Sequence, residues 1–241
     1  MIATLGMYDR PEVAHANDAF WALIRENLGD GPMHLTRDMP FWDVWQSPDL
    51  LLSQTCGLPF RARLHKSVQL VGTPDYGLMG CEPGYYRSAI VARRVSGANL
   101  NDLSHLRLAY NERLSQSGWA AFWAHVGAGA TLADLVETGG HLASAKAVAD
   151  GRADIAALDL LTWSMICKFD GFAEQLEVIA LTDPTPGLPY ITAQGRDAPA
   201  FYSAVKAAIA ALDSDLKELL HLRSLVAIPA DDYLAIPMPP A

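Results

Sequence analysis

Short apolar runs alternate with longer segments of helical periodicity along most of the chain. Between Val13 and Leu28 the apolar residues recur every three or four positions, which predicts a helix over residues 11–28 that ends at Gly29. The same pattern predicts further helices over residues 118–126, 141–150, 160–169 and 199–222. Runs rich in leucine, β-branched or aromatic residues predict strands over residues 2–5, 33–35, 50–53, 68–71, 85–95, 106–110, 154–158, 178–181 and 190–193.

This alternation predicts an α/β protein whose sheets are mixed, mostly parallel, and flanked by helices. The long strand-like run 85–95 and the proline-rich segment 182–190 divide the chain into an outer and an inner part. We therefore expect two lobes joined by a two-crossing hinge, with residues 1–85 and 190–241 in the first lobe and residues 86–189 in the second. A cleft between two such lobes is a common place for a small-molecule site.

Residues 106–119 combine a strand, a polar turn with two serines and the start of a helix. The first turn of a helix leaves about four backbone N–H groups without intrahelical acceptors, and the helix dipole favours negative charge there. Ser115 and Ser117 add hydroxyl groups, and Gly118 permits a close approach of a ligand to the backbone. The segment predicts an anion site that also includes Gln116. Plain N-capping by a serine is the alternative.

Polar and aromatic residues elsewhere form a second set of candidates. Most of them follow a strand or begin a helix, where side chains face the binding edge of an open α/β sheet. The set is Tyr8, Trp42, Thr55, Tyr76, His141 and Asp159. For the aromatic residues the alternative is a place in the core, and for the other three it is a helix cap or a satisfied surface position.

Composition and charge limit the possible partners. The formal charge of −9 and the pI of about 5.1 argue against a nucleic-acid surface. No apolar run approaches the ~20 residues of a membrane span. The first residues show no export signal, so we expect a periplasmic protein if a signal peptide was removed and a cytoplasmic one otherwise.

The three cysteines are too few for a disulfide framework. Cys56 and Cys81 lie in similar glycine-adjacent loops, and a disulfide between them is a hypothesis for an oxidising compartment. Cys167 lies in an apolar helical run and is predicted to be a buried thiol.

Signatures of catalysis or of a metal centre are weak. No cysteine and histidine set has zinc spacing, and neither a phosphate-binding P-loop nor a Gly-x-Ser-x-Gly turn occurs. Ser117, His141 and Asp159 are a nominal hydrolase set, but these residue types occur by chance in almost any chain of this length. We therefore predict a protein that is not an enzyme and that has neither a cofactor nor a metal.

Seven short motifs follow one another between about residue 3 and residue 195: Met7-Tyr8-Asp-x-Pro11, Ser53-Gln-Thr-Cys-Gly57, Tyr86-Arg-Ser88, Asn111-x-x-x-Ser-x-Ser-Gly118, Gly140-His141, Gly151-Arg-Ala-Asp-Ile-Ala156 and Pro186-Gly-Leu-Pro189. In their order and spacing they resemble the phosphate/phosphite/phosphonate substrate-binding proteins of ABC transporters. The resemblance implies a type II periplasmic-binding-protein fold, in which two α/β lobes close over a small solute.

The resemblance also implies roles for the candidate residues. The oxyanion of that family sits at the helix opened by the serine loop, here residues 115–117, with His141 after the glycine and Asp159 at the end of the next strand. Tyr8, Thr55 and Tyr76 would contribute from the first lobe. A carboxylate such as Asp159 suits a ligand with an amine or a protonated phosphonate oxygen.

The chain would then be a monomeric solute-binding component that captures a small phosphonate- or phosphate-like anion and presents it to an ABC permease in the membrane. Two alternatives share the fold. One is a cytoplasmic enzyme similar to chorismate dehydratase, which the missing export signal favours and the weak catalytic signatures oppose. The other is a sensory module, which would need a separate partner chain.

Overall fold

The computed structural model describes residues 1–240, which form two compact units. Unit 1 consists of Met1–Tyr85 and Pro186–Ile236, and unit 2 consists of Tyr86–Thr185 and the residues from Pro237 onward. The chain therefore returns to unit 1 earlier than residue 190. The tail 237–240, which we expected in the first lobe, belongs to unit 2, where the indole Nε1–H of Trp119 donates to the Pro240 carbonyl at 3.4 Å.

Short strands and short helices alternate through both units. Within residues 1–240 the strands are β1 (Ile2–Ala3), β2 (Leu50–Gln54), β3 (Val68–Asp75), β4 (Tyr85–Tyr86), β5 (Ser88–Arg93), β6 (Arg107–Tyr110), β7 (Asp134–Glu137), β8 (Ile155–Asp159), β9 (Leu176–Leu181), β10 (Thr185–Pro186), β11 (Tyr190–Ala193) and β12 (Ser224–Val226). The α-helices are α1 (Ala14–Leu28), α2 (Phe41–Trp45), α3 (Gly57–Pro59), α4 (Ala121–Val126), α5 (His141–Ala149), α6 (Leu160–Phe169), α7 (Ala198–Ala211), α8 (Ser214–Leu219) and α9 (Ala230–Leu234).

Two π-helical turns adjoin these helices: Phe60–Leu64 continues α3, and Gln116–Ala120 leads into α4. None of the helices in the described part of the chain is long and apolar enough to cross a membrane.

Unit 1 contains a five-stranded sheet in the order β1-β2-β11-β3-β12. The β1–β2 pair is parallel, whereas β11 runs antiparallel to both of its neighbours and β12 antiparallel to β3. Helices α1 and α7 pack against each other. A core cluster around Trp45, Phe60 and Tyr233 is buried in this unit.

Unit 2 contains a second five-stranded sheet in the order β7-β6-β8-β5-β9. Strands β7, β6 and β8 are parallel, and β5 runs antiparallel to β8 and β9. One core cluster includes side chains of α5 and α6, such as Val148 and Ile166. Another is built around Trp119 and Phe122, from the π turn and α4.

The mixed α/β architecture agrees with the expectation, but its sheets contain fewer parallel pairs than expected. The first full strand after each passage between the units, β5 or β11, is inserted antiparallel between two other strands. Antiparallel neighbours follow directly from this placement. The expectation of mostly parallel sheets is therefore wrong.

Three predicted elements differ in the structure. The run 85–95 is two strands because Arg87 between them bonds elsewhere: its carbonyl accepts from the Leu160 N–H at 3.0 Å, and its Nε donates to the Thr182 carbonyl at 2.8 Å. The helix predicted over 199–222 is interrupted after Ala211, because Leu212 is extended (ψ 139°). Residues 33–35 form no strand, and β7, β12, α2 and α9 were not predicted.

Within residues 1–240 the structure differs from the disulfide hypothesis for Cys56 and Cys81 and from the buried thiol predicted at Cys167. Cys56 is buried directly after β2, whereas Cys81 lies half-exposed in the loop before β4, and no disulfide joins them. Cys167 is exposed rather than buried, because it lies on the solvent side of the last turn of α6.

Candidate functional site

The serine turn of unit 2 begins with Ser115, which caps the helical segment that follows. Its Oγ accepts the Gly118 N–H at 2.9 Å, and its carbonyl accepts the N–H groups of Trp119 and Ala120 at 3.2 and 3.0 Å. The capping alternative is therefore realised at Ser115. The N–H of Ser117, which lies in the same turn just before Gly118, has no acceptor among the described residues. It remains the donor that an anion at this turn would use.

Ser117 is buried and its hydroxyl is joined to His141, the first residue of α5. The Ser117 Oγ lies 2.8 Å from His141 Nε2, and the Asp159 N–H points at the same nitrogen from 3.5 Å. A nitrogen that faces an N–H donor is an acceptor, which favours the tautomer with the proton on Nδ1. In that tautomer the Ser117 hydroxyl donates to His141, and the Ser117 oxygen keeps its lone pairs for a ligand.

His141 is neutral over the physiological pH range. Burial lowers the pKa of His141 from its ordinary 6.5 to about 4, and a backbone contact with Ala157 only partly opposes this effect. Its Nδ1 is buried without a hydrogen bond of regular geometry in the described chain. The imidazole therefore supplies no positive charge to an anion at neutral pH.

Asp159 ends β8 and begins α6. Its Oδ1 accepts the Thr162 N–H at 2.9 Å, so the capping alternative holds here as well, and the residue is almost completely buried. The Oδ1 of Asp159 is thus held by the first turn of α6, while its backbone N–H faces His141 Nε2. We call Ser115, Gln116, Ser117, His141 and Asp159 the serine–histidine group. Gln116 is the first residue of the π turn and is 2% exposed.

Unit 1 brings together a different set of side chains. The rings of Tyr8 and Tyr76 meet edge to face, with centroids 5.1 Å apart and an interplanar angle of 75°. Gln54 Nε2 donates to the Tyr76 hydroxyl at 3.0 Å and to the Leu188 carbonyl at 2.9 Å. Tyr190, at the start of β11, is hydrogen-bonded to Tyr76. We call Tyr8, Gln54, Tyr76 and Tyr190 the tyrosine–glutamine group.

Gln54 and Tyr190 were not among the predicted site residues. Gln54 stands between Ser53 and Thr55 in the strand-end motif, so its position was visible. Tyr190 lies opposite both Gln54 and Gly72 in the ladder, a pairing that no local pattern of the sequence shows. A small cavity of about 20 Å³ adjoins this group and is lined also by Asn17.

Thr55 and Trp42 have other surroundings in unit 1. Thr55 is fully buried, its N–H donates to the Pro189 carbonyl at 3.1 Å, and its hydroxyl lies 3.4 Å from the Cys56 carbonyl. Trp42 is half-buried, contacts the Trp45 ring edge to face at 5.2 Å and carries the Arg63 guanidinium over its own ring, also at 5.2 Å. Trp42 is therefore part of an aromatic cluster on α2, which was one of the alternatives considered for it.

Neither group has the features of a metal centre. No cluster of three or more histidine, cysteine or acidic side chains able to hold a metal occurs within residues 1–240. Backbone N–H groups and hydroxyls at the starts of helices are donors that suit the binding of a small anion. The sequence profile of one family, described as "ABC transporter, phosphonate, periplasmic substrate-binding protein", matches residues 55–233. The chain belongs to this family, whose members are substrate-binding components of transporters and not enzymes.

Solved structures share the fold at low sequence identity. A binding protein component of an ABC phosphonate transporter from Pseudomonas aeruginosa is 15% identical, with a TM-score of 0.72, over 97% of this chain and 83% of the other. PhnD1 from Prochlorococcus marinus, solved with methylphosphonate, is 16% identical, with a TM-score of 0.75, over 96% and 94%. A histidine kinase sensor domain is 18% identical, with a TM-score of 0.62, over 95% and 98%. Curated protein sequences give no significant match.

These comparisons bear on the expectations stated above. The chain has the two-unit fold of type II periplasmic binding proteins and belongs to a family that delivers small phosphonate ligands to an ABC permease. Members of this family are normally periplasmic. The enzyme alternative receives no support.

Proposed function

We propose that the serine–histidine group of unit 2 binds a phosphonate or a related phosphorus oxyanion for transport. The observation that carries the proposal is the geometry at Ser117: a backbone N–H without an acceptor beside a hydroxyl held 2.8 Å from a neutral histidine. Family membership supports the chemical class, and a structural neighbour was solved with methylphosphonate.

The same geometry favours an oxyanion that still carries a proton. An anionic ligand oxygen would accept the Ser117 N–H, while a protonated ligand oxygen would donate to the Ser117 Oγ, whose own proton goes to His141. Asp159, whose N–H faces the same His141 Nε2, would oppose a fully ionised ligand if its own carboxyl is ionised. A phosphonate monoanion, or a phosphonate with an amine, meets these conditions.

Thermal unfolding against a ligand panel tests the proposal. The panel contains methylphosphonate, 2-aminoethylphosphonate, phosphate, phosphite, sulfate and an aromatic carboxylate; sulfate is the control because it carries no proton at neutral pH. A ligand at 100 times its Kd stabilises by about 2.7 kcal/mol, a shift of roughly 5–11 °C in a chain of this size. We expect the shift with phosphorus oxyanions and not with sulfate. A shift with the aromatic carboxylate alone would contradict the proposal.

Ser117→Ala locates the site. Loss of the hydroxyl removes a contact to the ligand and leaves His141 Nε2 without its closest partner, so we expect methylphosphonate to bind about ten- to a hundredfold more weakly. Isothermal titration calorimetry measures this change. An unchanged Kd would refute this placement of the ligand.

We extend the proposal to Gln116 and to four residues of unit 1, namely Tyr8, Trp42, Thr55 and Tyr76. Alanine variants of each, measured in the same titration, show which of them change the affinity. A residue whose variant binds like the wild type is removed from the site.

We also propose that the protein works as a periplasmic monomer that hands its ligand to an ABC permease and binds no nucleic acid. Release by osmotic shock from cells that express the complete gene tests the compartment. Size-exclusion chromatography with light scattering tests the oligomeric state.

A further inference from the structure

The peptide between Ser117 and Gly118 is held at both of its ends. Its N–H, that of Gly118, donates to the Ser115 Oγ at 2.9 Å, and its carbonyl, that of Ser117, accepts the Ser88 hydroxyl at 2.9 Å. All of these residues are buried. Because N–H and C=O of one peptide lie in a single plane, the two hydroxyls together fix the orientation of that plane.

Ser88 itself is anchored by its backbone and not by its hydroxyl. Its N–H donates to the Thr182 Oγ1 at 3.0 Å, its carbonyl accepts the Thr182 N–H at 2.9 Å, and it lies opposite Asp159 in the β5–β8 ladder. It is 1% exposed. The backbone of Ser88, the first residue of β5, is therefore fixed, and its hydroxyl donates to the serine turn.

We propose that Ser88 is the positioning residue of the oxyanion turn: its hydroxyl fixes the Ser117 carbonyl and thereby the Ser117 Cα, from which the Oγ reaches His141 and the ligand. This inference rests on the proposed function of the serine–histidine group. The ladder of β5 does not use the Ser88 hydroxyl, so its removal leaves the strand pairs in place and leaves the Ser117–Gly118 peptide held only by the bond from the Gly118 N–H to the Ser115 Oγ. A peptide that is held at one end only keeps more freedom, which each ligand must remove when it binds, and this weakens binding.

The test compares Ser88→Ala with Ser164→Ala. Ser164, also in unit 2, donates its hydroxyl to a backbone carbonyl, that of Leu160, at the same 2.9 Å, but it has no bond to the serine turn. Isothermal titration with methylphosphonate is expected to show a Kd about five- to tenfold higher for Ser88→Ala and unchanged for Ser164→Ala. Ser88→Thr retains the hydroxyl and is expected to restore most of the affinity. Equal affinities of the two alanine variants would overturn the proposal.

A second measurement needs no ligand and therefore separates this inference from the proposed function. Titration of the His141 ring signal by NMR reports on the Ser117–His141 contact, because a looser turn admits water to the imidazole. We expect the midpoint to rise in Ser88→Ala from about 4 toward the ordinary 6.5 and to stay in Ser164→Ala.

If the wild type binds no phosphorus oxyanion, the proposed function fails, and the His141 titration alone decides the role of Ser88. If Ser88→Ala does not fold, Ser88→Cys replaces it, since the thiol has a similar size and is a weak donor. An unmoved His141 midpoint in a folded variant overturns the inference.

Discussion

The two candidate groups place their polar atoms in opposite ways. In the serine–histidine group of unit 2, most hydrogen bonds involve backbone groups at the starts of helices, and one backbone N–H is left for a ligand. In the tyrosine–glutamine group of unit 1, the Tyr76 hydroxyl is already bonded to Gln54 and Tyr190, so that ring surface rather than the hydroxyl is available. Under the proposed function, this difference assigns the recognition of charge to the first group, whereas the second group presents ring surface.

The two groups also differ in the pH range in which they lose stability. Burial lowers the pKa of His141 in unit 2 to about 4. Burial raises the pKa of Tyr190 in unit 1 above its ordinary 10, although the Tyr76 hydroxyl opposes this effect. The folded state thus keeps both groups neutral. Acid weakens it through His141, and alkali above pH 10 weakens it through Tyr190.

The largest expected effect is the acid sensitivity due to His141. Between its unfolded pKa of 6.5 and its folded pKa of about 4, the unfolded chain binds the proton and the folded chain does not, so stability falls as the pH falls. This predicts a loss of about 2 kcal/mol between pH 7 and pH 4.5. Urea unfolding at both pH values measures the loss.

His141→Gln, which cannot take up the proton, should lose less stability over the same pH interval. His105→Gln is the matched control, because His105 is an exposed histidine of the same unit, with a side chain 84% exposed. The same pH dependence in all three proteins would show that His141 does not cause it.

Gly118→Ala tests how tightly the serine turn is built. A Cβ at Gly118 would lie 2.8 Å from the Asn111 Oδ1 and 3.0 Å from the Ser115 Oγ, so the turn must shift. We expect a loss of about 1–2 kcal/mol in stability and about tenfold weaker binding of methylphosphonate. Gly129→Ala, where no atom lies within 4 Å, is the control. Wild-type affinity of Gly118→Ala would show that the turn is not preorganised.

Tyr76→Phe is expected to have the smallest effect and sharpens the comparison from the side of unit 1. The variant loses the hydroxyl between Gln54 and Tyr190 but keeps the ring against Tyr8. We therefore expect the free energy of unfolding to fall by about 1 kcal/mol. The Kd for methylphosphonate should stay within threefold of the wild-type value. Tyr202→Phe removes a tyrosine hydroxyl bonded to the Leu225 carbonyl and serves as the control. A larger loss of affinity than in Ser117→Ala would reverse the assignment of the two groups.

Much of the fold follows from local patterns in the sequence. The helix that ends at Gly29 has the predicted glycine, which adopts φ 72°, and α5 and α6 begin at or next to the predicted capping positions. The interruption before Ser214 was missed because alanine and leucine continue with helical spacing across it. Strands β7 and β12 were missed because they are short and only partly buried, so that neither has a distinct apolar pattern.

The candidate site was predictable for those residues whose place depends only on the neighbouring sequence. The serine turn, His141 and Asp159 each stand at the start of a helix, and their positions along the chain are enough to suggest chemistry. Ser88 and Tyr190 act through strand pairing and through contacts with distant segments, 29 residues apart in the case of Ser88 and Ser117. Such contacts depend on the order and direction of the strands in each sheet. The antiparallel placement of β5 and β11 makes the sheets different from the mostly parallel ones that the sequence predicted.

The exposed thiol of Cys167 makes the protein suitable as a fluorescent reporter. Of the three cysteines, Cys56 is buried and Cys81 half-exposed, so a maleimide dye should react first at Cys167. Partial burial of the sulfur raises the pKa of Cys167, so that mildly alkaline buffer should speed the labelling. The dye would be attached to the last turn of α6, the helix whose first turn is capped by Asp159. Its emission would follow ligand titrations in real time.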